Sequence, residues 1–319
     1  MQLIEISAPD FDLEKTLDSG QVFHWERVDN GFMGTIGDLP IYIEQHRDLL
    51  RAWIADSSIE CLKQSNSMKP AVGGAVAHYF ALDHSLENIR QSLPRDRAME
   101  AAKEFCRGVR IIRQPKWECL ATFICSSMKQ VAHIRQISLA LRKRLGEKRK
   151  ISDRIVYPFP SPERIGGSSE KELRECALGY RAKNLLATAR RISNGEVDLE
   201  RLAILVDLDL HDALCQLPGV GAKVANCVML FAYERLRAFP IDVWIERVLR
   251  ENYFPRTRKL NVARLRRFTQ EYFGEHGGYA QQYLFHYARK NKVAGGLGSN
   301  PSNKCRATPR PSLHDKTSA

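Results

Sequence analysis

Hydrophobic and polar positions change rhythm part-way along the chain. Residues 1 to about 60 show short apolar runs separated by turn residues, which predicts strands. Gln21–Glu26 leads into Asp29-Asn30-Gly31, a hairpin signal, and Phe32–Ile36 follows. Ile41–Ile43 and Leu49–Ile54 complete a small antiparallel sheet, with Phe23 and Trp25 expected in its core. Tyr79–Asp83 introduces a short helix ending near Leu93.

From about residue 96 the spacing becomes helical. Trp117–Ser127 is an apolar helix, and Ser169 with Glu172 forms a capping box for another that runs towards Leu178. The basic run Arg142–Lys150 reads equally as an exposed loop between helices or as a specific phosphate contact. Asp207–Gln216 is a helix that ends just before Pro218-Gly219-Val220-Gly221, and a second helix starts at about Ala222. Pro240 stops the chain, Asp242 opens a further helix, and Tyr279–Tyr287 lies in the last one. The expected architecture is α+β: an antiparallel sheet domain over 1–95, then a helical body over 96–291 with a helix-hairpin-helix at about 208–234. Residues 292–319 are rich in Gly, Ser, Asn and Pro with dispersed Lys and Arg, and read as a disordered basic tail.

The 319 residues carry a net charge of +12, which favours a polyanionic partner such as nucleic acid. The eight cysteines are scattered without a CxxC pair, so reduced thiols in an intracellular compartment are expected. No apolar run approaches a membrane span, and no metal cluster stands out.

The hairpin carries the chemistry. Gly219 and Gly221 let the backbone turn sharply and approach another molecule, and the free amides of the following helix suit a phosphate. Lys223 lies in that helix's first turn, where the dipole favours the neutral amine over the ammonium, as a nucleophile requires. Cys227 is four residues on, on the same face. Asp242 could hold a cation, a developing positive charge or its own helix's amides.

Lysine, cysteine and aspartate around this hairpin resemble the 8-oxoguanine DNA glycosylase/lyase family of the helix-hairpin-helix glycosylase superfamily. Other stretches resemble the same family in chain order: Ser19-Gly20-Gln21, Tyr79–Asp83, Gly108–Gln114, Gly179-Tyr180-Arg181-Ala182, and Gln281 with Phe285. The resemblance implies a base pocket of Gly20, Cys227, Gln281 and Phe285. It implies Tyr180 and Arg181 at the gap and the orphaned base, and catalysis by Lys223 and Asp242 without metal or organic cofactor. 8-Oxoguanine differs from guanine in carrying hydrogen on N7, so a fixed carbonyl at Gly20 favours the lesion. Only Cys305 follows the hairpin helices, which excludes the four-cysteine iron–sulfur loop of the related endonuclease III branch.

The chain also departs from that pattern. Met128, Lys129 and Gln130 stand where the family has consecutive asparagines, and His133 replaces an arginine. Methionine can fill a gap but cannot read cytosine, so weaker discrimination of the opposite base is expected. Trp244 and Ala288 replace a family histidine and acid, so the phosphate contact of that pair is absent or made otherwise.

The implied activity is excision of 8-oxoguanine from double-stranded DNA followed by strand cleavage, by a DNA-associated monomer in the nucleoid or nucleus. The rivals are a glycosylase of the same fold for alkylated bases, one with altered lesion preference, and a non-enzymatic hairpin binder. Deleting residues 292–319 is predicted to weaken DNA binding at low salt and hardly at high salt, because its charges act through screened attraction. Titrations of duplex DNA at two ionic strengths test this, and an equal loss at both removes the explanation.

Overall fold

The computed structural model describes residues 1–55, 72–126, 130–257 and 260–294. Five strands form an antiparallel sheet: β1 (Gln2–Ser7), β2 (Glu26–Val28), β3 (Gly31–Ile36), β4 (Leu39–His46) and β5 (Leu49–Ile54), in the order β1-β5-β4-β3-β2. Ile54 of β5 faces Gln2 on one side and Ile41 on the other. Leu50, Ala52 and Ile54 alternate onto the inner face and are fully buried there with Ile41 and Ile43. The sheet closes over Phe11, Trp25, Tyr79, Phe80 and Ile112, so its core borrows residues from the chain that follows it.

Three local readings change. Leu13–Asp18 is a short helix, started by Asp12, whose side chain accepts from the Lys15 amide at 2.8 Å. Gln21–Trp25 is extended but pairs with no strand; the ladder begins only at Glu26. A half-exposed strand buries alternate residues, whereas all five here are buried, because the segment runs between sheet and helical body. Phe23 therefore leaves the sheet core and packs edge-on against Phe123 of the body at 6.1 Å, while Trp25 turns to the sheet and donates to the Tyr79 hydroxyl at 3.1 Å. Lastly, the basic run is a loop only over 146–148, and although much of it is exposed Arg142 is not. Arg142 lies inside the helix Val131–Leu145 with 3% exposure, and Arg149–Ile151 (β6) pairs with Arg154–Val156 (β7). Arg142 donates to Glu118, to Thr35 Oγ1 at 3.1 Å and to Tyr157 O at 3.1 Å, which ties body to sheet.

The body is helical. Lys116–Cys125 is buried along nearly its whole length and packs on Ala222–Ala232, with Phe123 stacked on Phe231 at 5.5 Å. Ser169 caps the next helix by accepting from the Glu172 amide at 3.1 Å. That helix is regular only to Leu173, then widens over Arg174–Leu178 and stops where Ala177 and Gly179 take φ values of 63° and 60°. The last helix, Gly277–Ala294, runs three residues past the expected boundary and packs on Arg97–Phe105 and Val243–Tyr253. The tail beyond it lies outside the described residues. Among the described residues no helix is long and apolar enough to cross a membrane.

His286 of the last helix is 1% exposed, rests against Phe105, and lies 3.4 Å from the Arg289 guanidinium. Burial, then the positive charge of Arg289, lowers its pKa to about 4. Its contribution to stability is therefore complete above the ordinary histidine value and is lost as pH falls towards about 4, by up to about 3 kcal/mol. Urea unfolding across that window is expected to show the fall, and His286→Gln to flatten it. An unchanged slope in the variant removes histidine as the cause.

Candidate active site

Gly219 takes φ +82° in the turn between Asp207–Cys215 and Ala222–Ala232. A Cβ there would lie 2.8 Å from the Asn184 Cβ and 3.2 Å from Ile124, so the turn needs glycine for conformation and for space. Leu217 and Val220 anchor the turn in the core, Thr188 donates to Pro218 O at 3.0 Å, and Arg191 donates to Gln216 O at 2.9 Å. Gly221 by contrast faces open space, and no side chain caps the helix it begins. The first-turn amides are left for a ligand on a fixed turn, an arrangement suited to a phosphate.

In the first turn of that helix, the Lys223 amine lies 5.1 Å from the Phe123 ring centre and donates to Ser126 Oγ at 3.2 Å. Cys227 beneath it is 3% exposed. Burial pushes the Cys227 thiol up to about 11; the charge of Lys223 opposes this, Asp242 adds to it, and a hydrogen bond from Lys223 opposes it again. The thiol is thus neutral near neutral pH and offers a packing surface beside the amine. Asp242 is half-buried and caps Val243–Tyr253, its Oδ1 accepting from the Ile245 amide at 2.8 Å. Among the described residues its Oδ2 accepts no hydrogen bond, so cap and electrostatic partner are compatible roles for one carboxylate.

Gly20 and Phe285 meet although 265 positions separate them. Gly20 has φ +88°, and a Cβ on it would sit 2.9 Å from the Phe285 ring edge and 3.6 Å from Val131. Gln281, one turn before Phe285, is 5% exposed, and its Oε1 has no hydrogen-bond partner among the described residues. A buried amide oxygen left so costs on the order of 1–3 kcal/mol, which a ligand bearing an N–H would relieve.

The remaining predicted residues are less concentrated. Tyr180 follows Gly179 and is 58% exposed at the start of the helix Arg181–Ser193. Arg181 is buried instead of presented: its guanidinium lies 4.4 Å from the Tyr180 ring centre and donates to Leu178 O at 3.2 Å. His133 is exposed near the start of Val131–Leu145. Met128 and Lys129 lie outside the described residues. Among those described, no group of three or more His, Cys, Asp or Glu side chains could hold a metal ion.

Comparison with known proteins places this geometry. Residues 3–120 match the family "8-oxoguanine DNA glycosylase, N-terminal domain", and residues 121–271 match "HhH-GPD superfamily base excision DNA repair protein". The chain is 31% identical to the N-glycosylase/DNA lyase OGG1 of Arabidopsis thaliana, over 88% of this chain and 78% of that one. It is 26% identical to a probable N-glycosylase/DNA lyase of Methanothermobacter thermautotrophicus, over 90% and 96%. A solved structure of the Clostridium acetobutylicum 8-oxoguanine glycosylase/lyase, in complex with double-stranded DNA containing cytosine opposite 8-oxoG, superposes with a TM-score of 0.79 at 30% identity, covering 91% of this chain and 98% of that one. The chain belongs to the 8-oxoguanine DNA glycosylase/lyase family.

Within this family member the sequence pattern missed the residues that support the site. Ser126 and Phe123 hold the Lys223 amine, yet read only as part of an apolar helix. Gln21, noted merely as the residue after Gly20, is fully buried, and its Oε1 accepts from the Ile112 amide at 2.7 Å while its Nε2 donates to Arg110 O at 2.8 Å. A glutamine in an apolar stretch with no strand partner was the available signal. For the hairpin, Gly219→Ala is expected to lower stability by about 1–3 kcal/mol through strain and the Asn184 clash, and to weaken binding of undamaged duplex. Unfolding curves and DNA titrations check it; a variant as stable as wild type would show that the turn tolerates a side chain.

Proposed function

We propose that this chain is a bifunctional DNA glycosylase/lyase that removes 8-oxoguanine from double-stranded DNA and then cuts the strand. The observation that carries the reading is a lysine amine in the same first turn as the hairpin's open amides, held by Ser126 and Phe123 near a neutral thiol and the Asp242 carboxylate. The amides of the Gly219–Gly221 turn take a phosphate, and Tyr180 holds the gap while the lesion rotates out. The base then lies among Gly20, Cys227, Gln281 and Phe285, where the Gln281 acceptor gains the donor it lacks.

The Lys223 amine, having given up its proton, attacks C1′ as the bond from C1′ to the base nitrogen breaks, and the base leaves with the bonding pair and takes up a proton. Asp242 stabilises the positive charge that develops on the sugar. Opening of the sugar ring gives an imine between Lys223 and C1′, whose C2′ proton is lost as the 3′ phosphate departs by β-elimination. No step calls for a metal or an organic cofactor. His133 is proposed to face the orphaned base, whereas Arg181, expected there too, lies buried against the Tyr180 ring and is proposed to hold that ring at the gap. With Met128 and His133 replacing the family's asparagine and arginine, weaker discrimination of that base is expected. We infer a monomer working on DNA inside the cell.

A hydrolytic glycosylase for alkylated bases needs no lysine at position 223, and a pure DNA binder needs neither Lys223 nor Asp242. Borohydride trapping on a duplex with one 8-oxoguanine opposite cytosine separates the three. Wild type is expected to give a covalent protein–DNA band and Lys223→Gln none. Release of free base without a band assigns hydrolysis, and binding without either product leaves a grip alone.

A further inference from the structure

We propose that Gln282 and Arg289 are positioning residues that fix the Gly20 carbonyl, and so set how well the enzyme separates 8-oxoguanine from guanine. This rests on the pocket reading above, in which that carbonyl meets the lesion's N7–H. The two bases differ at N7 by one hydrogen, so a carbonyl oxygen attracts one and repels the lone pair of the other. Discrimination of that kind depends on the acceptor keeping its place to a few tenths of an ångström, since hydrogen bonds weaken steeply with distance and angle.

Gly20 lies in a loop at φ +88°, beyond the end of the helix Leu13–Asp18. Conformation alone leaves such a loop free to pivot. Gln21 restrains it from the far side through Ser19 Oγ, and the last helix adds a hold on the two residues just before the glycine. Gln282, 2% exposed, donates from Nε2 to Ser19 O at 2.8 Å. The Arg289 Nη2 donates to Asp18 O, and the same nitrogen lies 3.5 Å from Asp18 Oδ1, whose other oxygen meets Lys290. Two successive carbonyls ahead of Gly20 are thereby tied to one element.

Helical spacing makes the tie specific. Gln282, Phe285 and Arg289 fall at i, i+3 and i+7, on one face of Gly277–Ala294. The Arg289 guanidinium carbon lies 6.0 Å from the Phe285 ring centre, and its Nη1 lies 3.8 Å from where a Gly20 Cβ would be. Arg289 therefore touches the ring that packs on Gly20 and also grips the chain that leads to it. The helix that supplies Gln281 and Phe285 to the pocket thus also holds the third contact, Gly20, in register with them.

A positioning role is separable from a structural one because cleavage at an abasic site involves no base. Arg289→Met keeps an unbranched apolar side chain and removes the donors. It is expected to slow single-turnover excision of 8-oxoguanine about tenfold, the worth of about one hydrogen bond. Cleavage of a preformed abasic site should stay within about twofold, because none of these donors touches the sugar. In a Lys223→Gln background, the affinity ratio between 8-oxoguanine and guanine duplexes should narrow by a similar factor, and Arg289→Lys should restore part of it. Equal losses of excision and abasic cleavage, or excision at the wild-type rate, would overturn the proposal. Gln282→Leu supplies the same readouts if Arg289→Met does not fold. Gly20→Ala distinguishes the two levels: excision unchanged in that variant sinks the pocket reading itself, and the clamp with it.

Discussion

The structure depends on one buried glutamine. Gln21 is fully enclosed where the sheet and the helical body meet, and its amide spends both ends on backbone. Its Oε1 takes the Ile112 amide, and its Nε2 reaches Arg110 O, Ser19 Oγ and Thr16 O, while its own carbonyl receives Gln114 Nε2 at 2.7 Å. Segments some ninety positions apart are held together by groups that have no water to turn to, so each bond left unmade would cost a desolvation penalty. The neighbouring residue is Gly20. A buried and well-satisfied polar network thus stands beside the loop proposed to read the lesion.

The same economy of roles recurs at the lysine. The helix Lys116–Cys125 is core along nearly its whole length, yet its last turns supply the ring and hydroxyl that hold the Lys223 amine. Burial keeps Cys227 protonated, and Asp242 spends one oxygen on capping a helix and keeps the other free of bonds from the described residues. A rigid, largely apolar setting fixes each group before DNA arrives, which is how a site avoids reorganising during reaction.

Much of this was legible from residues alone. The hairpin is written in Pro218, Gly219 and Gly221 because a turn with positive φ and no room for a side chain leaves few alternatives. Asp207–Cys215 keeps helical spacing, and β5 keeps its alternation, because each has one face in a core and the other at least partly open. The exceptions have a common origin. Gln21–Trp25 looked like a strand and Arg142–Lys150 like a solvated loop because local patterns assume a single buried face. Gln21–Trp25 and Arg142 lie where two parts of the molecule press together: every residue of the first is enclosed, and Arg142 is neutralised by Glu118.

By itself the sequence determined what is local and chemical: the α+β order of elements, the hairpin, the candidate nucleophile with its thiol and carboxylate, and the family these motifs resemble. Spacing within one helix or turn fixes such relations, since 3.6 residues per turn place Lys223 above Cys227 whatever surrounds them. Only the tertiary structure decided which distant residues meet. It set Gly20 against Phe285, Phe23 against Phe123, Lys223 on Ser126, and Asp18 and Ser19 under Arg289 and Gln282. Those contacts arise from packing two cores against each other, and no periodicity along the chain encodes a distance across it.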